Sequence, residues 1–356
     1  LHKLTLTAAT PANAGTVTFN QGQVTTTGHQ NYGGAVWLGA DAALHAGAGD
    51  VTFNSTVDTL ASTVPTVPTV AKSLTVNSNG ITTFGGAVGG AVDGALSSLT
   101  TDAGTSGRVV INGGSVTTTG LQSYGEAVML GAKTSLTSTT DTLTFLSITD
   151  GSSTSTANPI SVFDLNLKSA TALTLGDVEI GGQFQVTTQA GGVSQRANTS
   201  LSIGGAASMT ADAGMHQVSA LTSTNNTFTG ALSFNQTNNG SWADVSVTTD
   251  APLTLGPLQS GGSVNLQTQG ALTTSTISTS GSLTVNSNGG VVSVGASTVS
   301  GSMSVQTGGG SMSQTGQFVV TGSTSVTAGT GTITMLNALN SFGGTLALQG
   351  TSTSVA

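Results

Sequence analysis

GSVNLQTQGALTTSTISTSGSLTVNSNGGVVSVGASTVSGSMSV, from Gly262 to Val305, repeats one short phrase. The phrase, Gly-x-apolar-x-apolar loosely kept, starts at Gly262 (GSVNL), Gly281 (GSLTV) and Gly301 (GSMSV), then again at Gly322 (GSTSV) and Gly344 (GTLAL). Those starts lie 19, 20, 21 and 22 residues apart. Alternation with period two marks a strand with one buried face. One such strand per near-constant step marks one rung of a solenoid. Other short alternations between the starts, such as VVSVG (Val291 to Gly295), supply the remaining strands of each coil. The fold class this predicts is all-β: a right-handed parallel β-helix, or β-solenoid, of about 20 residues per coil.

The physics of such a coil explains the residue choice. Each coil pairs its backbone with the coils above and below at about 4.8 Å. Val, Leu, Ile, Met and Phe alternate inward and stack on their equivalents, while Thr, Ser, Gln and Asn face out. Bends fall at Gly, Asn and Ser, which tolerate tight or left-handed backbone. At that period the chain supplies roughly eighteen coils. Inward positions on this register include Val17, Phe19, Val24, Leu74, Val76, Val116, Leu283, Val285, Val305 and Leu348.

Longer repeats surround the short one. Val17 to Asp41 (VTFNQGQVTTTGHQNYGGAVWLGAD) returns as Val109 to Lys133 (VVINGGSVTTTGLQSYGEAVMLGAK), an offset of 92. VTFNSTVD (Val51 to Asp58) answers LTFLSITD (Leu143 to Asp150). SLTVNSNG stands unchanged at Ser73 to Gly80 and Ser282 to Gly289, and LTLGDVEIGGQFQVTTQ (Leu173 to Gln189) pairs with LTLGPLQSGGSVNLQTQ (Leu253 to Gln269). The organisation read from this is one continuous solenoid over 1–356, with two long repeats at offset 92 in 1–150 and shorter coils over 151–356, looped around 198–240. Thr59 to Ala71 (TLASTVPTVPTVA) holds Pro65 and Pro68, neither of which can donate to a ladder, and reads as a loop bulging from one coil. A multidomain β-sandwich shares the turn-separated strands but lacks one short period running across domain boundaries.

Composition agrees. Charged residues make up 6% of 356, where a soluble domain usually carries about 25%. Ser and Thr take their place, which suits strands and not helices. Gly/Ser richness alone would suggest disorder, but the apolar alternation runs throughout and mean hydropathy is on the apolar side. Net charge is −8, and the six cations (Lys3, Lys72, Lys133, Lys168, Arg108, Arg196) are scattered. Nucleic acid and anionic membrane surfaces need clustered cations, so neither is an expected partner. No apolar run is long enough to span a bilayer. There are no cysteines, which excludes disulfides, thiolate metal sites and Cys nucleophiles. The chain opens at Leu1 without Met or a signal segment, so export is inferred rather than seen.

Few residues are equipped for chemistry. His29 stands where the second copy has Leu121, and His45 where it has Thr137; with His2 and His216 they read as surface or filler residues. Asp177 and Glu179 are the closest acid pair and share a strand face, yet Pro257 and Gln259 occupy the equivalent places. A glycosidase needs two flanking carboxylates, and a lyase needs cations or a metal. Tandem Gly-Gly-x-Gly-x-Asp calcium repeats are absent. Thr25/Thr27 and Thr117/Thr119 alternate, but they recur at offset 92 rather than once per coil, so no flat ice-ordering array is expected. Tyr32 and Tyr124 share a repeat position and read as structural residues at a coil corner; Trp37, equivalent to Met129, reads as core. With them, Trp242 is an aromatic of the kind that stacks on sugars. No catalytic, cofactor or metal residue is assigned, and no cofactor is expected.

VTTTGHQNYGGAVWLGA (Val24 to Ala40), VTTTGLQSYGEAVMLGA (Val116 to Ala132), VTFNSTVD and SLTVNSNGITTFGGAVGG (Ser73 to Gly90) resemble the repeats of filamentous-haemagglutinin-type giant bacterial adhesins, as do the rungs from Gly262 to Gly350. The resemblance implies a secreted, elongated structural rod at the cell surface, often exported by a two-partner pathway. The expectation is a non-enzymatic adhesive shaft or extracellular filament, partnering itself and surface glycans in attachment or biofilm. The rival expectation is a carbohydrate-active β-helix enzyme, a polysaccharide lyase or glycosidase. Both ends, LHKLTLTAA and GTLALQGTSTSVA, keep the strand pattern and suggest a slice of a longer array or end-to-end stacking.

Overall fold

The computed structural model describes residues 1–6, 15–64, 66–101, 107–151, 162–213 and 215–356. Among them there is no helix, and the named strands pair in parallel throughout. Parallel strands stack as a β-solenoid of about 15 turns, roughly 21 residues each. Two compact units divide the chain, Leu1–Gly182 and Gln183–Ala356.

In the second unit each regular coil contributes one strand to each of three columns. The Gly-x-apolar-x-apolar phrase builds one column: Val264–Thr268, Leu283–Ser287, Met303–Gln306, Thr324–Thr327 and Leu346–Gln349. Val264 stacks on Leu283, Leu283 on Met303, Met303 on Thr324 and Thr324 on Leu346, so the repeat read from the sequence is the register of the sheet. A second column holds Leu253–Leu255, Leu272–Thr274, Val292–Val294, Met312–Gln314, Thr332–Met335 and Ser352–Val355. One outward row through it is hydroxyl in every coil: Thr254, Thr273, Ser293, Ser313, Thr334 and Ser354. The third column is Leu258–Ser260, Ile277–Thr279, Ser297–Val299, Phe318–Val320 and Ser341–Phe342. This row is separate from the Thr-x-Thr pairs Thr25/Thr27 and Thr117/Thr119, which lie in the first unit.

The phrase begins with Gly for a steric reason. The glycines stack corner on corner, with Gly281 N donating to Gly262 O at 3.0 Å, Gly301 N to Gly281 O at 2.8 Å and Gly322 N to Gly301 O at 2.9 Å. A Cβ at Gly301 would sit 2.7 Å from Gly281 O, closer than real Cβ contacts come. Backbone approach this tight excludes every other residue without a shift of the corner.

In the first unit the coils are less uniform. Leu4–Leu6, Gln30–Tyr32, Val51–Phe53, Ile81–Phe84, Arg108–Ile111, Val128–Leu130, Ser147–Thr149 and Asp177–Ile180 form one column. Val51 stacks on Thr82, a step of 31 residues that takes in the insertion at 59–71. The described part of that insertion is without strand, as expected of a loop, after Thr59 closes the strand Val57–Thr59; Pro65 lies outside the described residues. Long steps of this kind explain why there are about 15 turns and not eighteen. Tyr32, Phe53 and Phe84 stack along the interior with ring centroids 5.2 and 5.3 Å apart, and Phe19 meets Tyr32 edge-on at 5.5 Å. Each such ring contributes large apolar area plus about 0.5–1.5 kcal/mol of ring contact.

Of the ten inward positions, Phe19, Leu74, Val76, Val116, Leu283, Val285 and Val305 are buried. Val17, Val24 and Leu348 are half-buried. Their alternation is right, but each lies in an outermost strand of its sheet, covered from one side. One expectation is corrected. Trp37 is not core: Val36 and Leu38 take the inward positions, so Trp37 faces out and is half-buried. Tyr32 and Tyr124 each end their strand just before a bend, and point into the coil at 0% and 2% exposure. Between 198 and 240 the chain turns on Asn198, Asn238 and Asn239, all with left-handed φ (61°, 47° and 64°), and the strand Met215–Leu221 shifts register against Ser241–Thr249.

Candidate functional site

The residues that the sequence singles out do not converge in the structure. His2 Nδ1 lies 3.0 Å from Thr27 Oγ1 on the surface. His29 Nδ1 accepts from Asp50 N at 3.0 Å and stands 3.2 Å from Asp50 Oδ2, an exposed pair. His45 Nδ1 lies 3.0 Å from Asn77 Nδ2. His216 is in register with Trp242, and its side chain is outside the described residues. Asp177 and Glu179 do share the outer face of one strand, opposite Ser147 and Thr149. Thr25 and Thr27 face out, with Thr26 buried between them. Among the described residues no three His, Cys, Asp or Glu side chains converge as a metal-holding group.

Buried polar groups serve the backbone. Asp58 Oδ1 accepts from Ala91 N at 2.9 Å, and Asp150 Oδ2 from Phe163 N at 3.1 Å and Gly181 N at 2.8 Å. At the surface, exposed Asp41 also serves the backbone: its Oδ1 accepts from Ser73 N at 2.8 Å, and that hydrogen bond holds its carboxyl below the usual range. Gln30 and Gln122, which polarity alone would place outside, are fully buried. Gln122 Nε2 donates to Thr137 O at 2.6 Å and Val116 O at 3.2 Å, and Tyr124 O–H donates to Gln122 Oε1 at 3.1 Å. Gln30 repeats this with His45 O, Val24 O and Tyr32. Burial raises both tyrosines well above a phenol's ordinary value.

One concavity stands apart from these structural contacts. In the second unit a groove of about 550 Å³ runs along the bend between two strand columns. Leu232 pairs with Leu255, the last residue of the strand Leu253–Leu255, and Leu232–Gln236 runs on for four more residues, whereas the later coils pass between columns at Pro257, Thr276, Ala296 and Gln317. Those bend residues stack, since Leu258 N donates to Thr276 O, Ile277 N to Ala296 O and Ser297 N to Gln317 O. Next to them Gln259, Ser278, Thr298 and Val319 face outward from consecutive strands in register. Gln236 Nε2 donates to Gln259 O at 2.8 Å and fixes one end; Gln317 Nε2 donates to Leu339 O at the other. The lining holds amides, hydroxyls and apolar surface, and no charged side chain. Residues 251–356 contain no Asp, Glu, Lys, Arg or His at all, and that uncharged stretch is the one sign of the groove that the sequence carries.

Among the described residues no helix is long and apolar enough to cross a membrane. No curated protein matches the chain, and no solved structure does. A family model described as repeats of unknown function (DUF5649) matches residues 163–235, 243–294 and 282–349. The matched segments hold the regular columns of the second unit and together cover just over half of the sequence. The chain therefore belongs to the family of repeats of unknown function (DUF5649).

Proposed function

We propose that this chain is a structural and adhesive rod, part of a secreted bacterial surface protein or extracellular filament of the filamentous-haemagglutinin-like kind, and not an enzyme. The observation that carries the reading is the once-per-coil repetition of uncharged outward residues, as in the hydroxyl row Thr254 to Ser354. A surface repeated along a solenoid offers many equal weak contacts, and multiplicity converts these into firm attachment. The same coils let copies lie side by side through matching rows. Glycoside hydrolysis would need two flanking carboxylates, and the lining of this groove carries none.

The test is attachment. Beads coated with the full chain are expected to bind bacterial or host cells above albumin-coated beads, and to clump with one another. Because residues 251–356 are uncharged, contacts made through them should survive molar salt, which screens surface charge within about 3 Å. Beads that neither attach nor clump would end the adhesive reading. New reducing ends or unsaturated products from any polysaccharide incubated with the chain would favour the enzyme.

A further inference from the structure

We propose that the groove along Gln259, Ser278 and Thr298 binds a neutral linear polysaccharide lying parallel to the coil stack. The proposal gives the adhesive reading a ligand class and rests on that reading for its biological sense, though not for its chemistry.

Charge comes first. The groove has no ionic side chain, and no charged residue follows Asp250 in the chain. A polyanion or polycation would give up its hydration here for no opposite charge, a loss the site cannot offset. A neutral ligand gives up much less. Hydrogen bonding comes second. The Gln259 amide and the hydroxyls of Thr276, Ser278 and Thr298 make no side-chain hydrogen bond to the described residues, so their donors and acceptors are open to a ligand. Amides and hydroxyls both donate and accept. Sugar hydroxyls do the same, so the two sets match without a fixed polarity. Between them Pro257, Ala296 and Val319 offer apolar surface to the C–H faces of sugar rings.

Spacing is the third argument. Gln259, Ser278, Thr298 and Val319 belong to four consecutive strands in register, so the outward groups recur about every 4.8 Å over about 14 Å. A sugar unit in an extended glycan advances by a comparable distance, so three or so units can meet equivalent groups in turn. The volume of about 550 Å³ suits an oligosaccharide segment of that size. A peptide in extended form is the poorer fit. It gains affinity mainly by adding to an open strand edge, and here Ile277–Thr279, in the middle of the groove, already pairs on both sides, with Leu258–Ser260 and with Ser297–Val299; only Phe234 to Gln236, at one end, lack a ladder partner on the groove side.

The experiment uses the full chain in native gels cast with β-1,4-glucan, β-1,3-glucan, mannan, dextran or polygalacturonate, followed by calorimetry with the hexasaccharide of whichever retards it. Retardation by at least one neutral polymer and not by polygalacturonate is expected. Affinity for the hexasaccharide should change less than twofold between 0.05 and 0.5 M salt. Ser278→Trp, which fills the groove from an outward position, should weaken binding at least tenfold with an unchanged melting temperature. Thr284→Trp, outward on another column, should leave binding as it is. The inference is overturned by retardation in no neutral gel, by equal retardation in polygalacturonate, or by undiminished binding in Ser278→Trp. Groove-dependent dimerisation of the chain without glycan binding would assign the groove to a second copy and overturn it too. Beads that attach to cells although no gel retards the chain would sink the groove and leave adhesion standing; a chain that binds glycan but attaches to nothing would do the reverse.

Discussion

Replacing Gln122 by Met keeps the length of the side chain and removes its hydrogen bonds. In the native coil its amide N–H groups reach Thr137 O and Val116 O, and its carbonyl accepts from Tyr124 O–H, all in a fully buried setting. The variant strands the tyrosine hydroxyl and takes a donor from two carbonyls. Each buried group left without a partner costs about 1–3 kcal/mol, and the carbonyls lose less because the ladder still uses them. The expected total is about 2–4 kcal/mol. Tyr124→Phe removes only the hydroxyl, at about 1 kcal/mol. The double variant no longer contains the stranded hydroxyl, so its cost should fall short of the two single costs combined by about 1 kcal/mol.

Two tryptophans make the measurement local. Trp37 lies in the unit Leu1–Gly182 that holds Gln122, and Trp242 lies in Gln183–Ala356. Solenoids need not unfold in one step, so urea unfolding is followed by Trp37 fluorescence in a Trp242→Phe background. Strict additivity of the single changes, or a loss under about 0.5 kcal/mol for Gln122→Met, would refute the view of Gln-x-Tyr as a buried staple.

Gly301→Ala places a Cβ against Gly281 O and should destabilise the second unit by about 1–3 kcal/mol, read as a lower urea midpoint at Trp242. Thr324→Val should stabilise that unit by about 1 kcal/mol, read as a higher midpoint, since the buried Oγ1 has no hydrogen-bond partner between Met303 and Leu346. The buried tyrosines predict an alkaline limit. Their phenols are raised in the folded chain above the ordinary 10.0, so between the two values the unfolded chain holds fewer protons and stability falls as pH climbs past 10.0. Below that pH they contribute no slope. Tyr32→Phe/Tyr124→Phe should flatten the alkaline limb, checked by urea midpoints across that range.

The regular coils are legible in the sequence because their period and their burial coincide: the five phrase starts from Gly262 to Gly344 are five stacked corners. Trp37 misleads because a large apolar residue reads as inward, although Val36 and Leu38 already define the face. Gln122 shows the converse. Polarity sends it outside, yet it shares the inner face with Tyr124 two residues on, and period two fixes that face whatever the residue. The recurrence of Gln-x-Tyr at offset 92 is the signal that points to this. The groove depends on how sharply each coil bends between columns, which no short pattern of Pro257, Thr276, Ala296 and Gln317 states.

Register also explains why charge is scarce. A residue repeated once per coil meets its copy at about 4.8 Å, where two like charges repel by roughly 0.9 kcal/mol in water and about 3.5 kcal/mol at an effective dielectric of 20. A charged row several coils long would incur that repulsion at every step. In the described ladder register, strand charges stand opposite neutral residues, among them Asp58 opposite Trp37, Arg108 opposite Ile81, Lys168 opposite Thr137, Asp177 opposite Ser147 and Glu179 opposite Thr149. Unit by unit, coil regularity and charge trade against each other. The first unit has the uneven steps and most of the ions, and the second, past Asp250, has steps of 19 to 21 residues from Leu253 to Thr353 and none. Neutrality of the groove is thus a consequence of the stacking that forms it. Any ligand that fits such a groove has to be recognised by hydrogen bonds and shape.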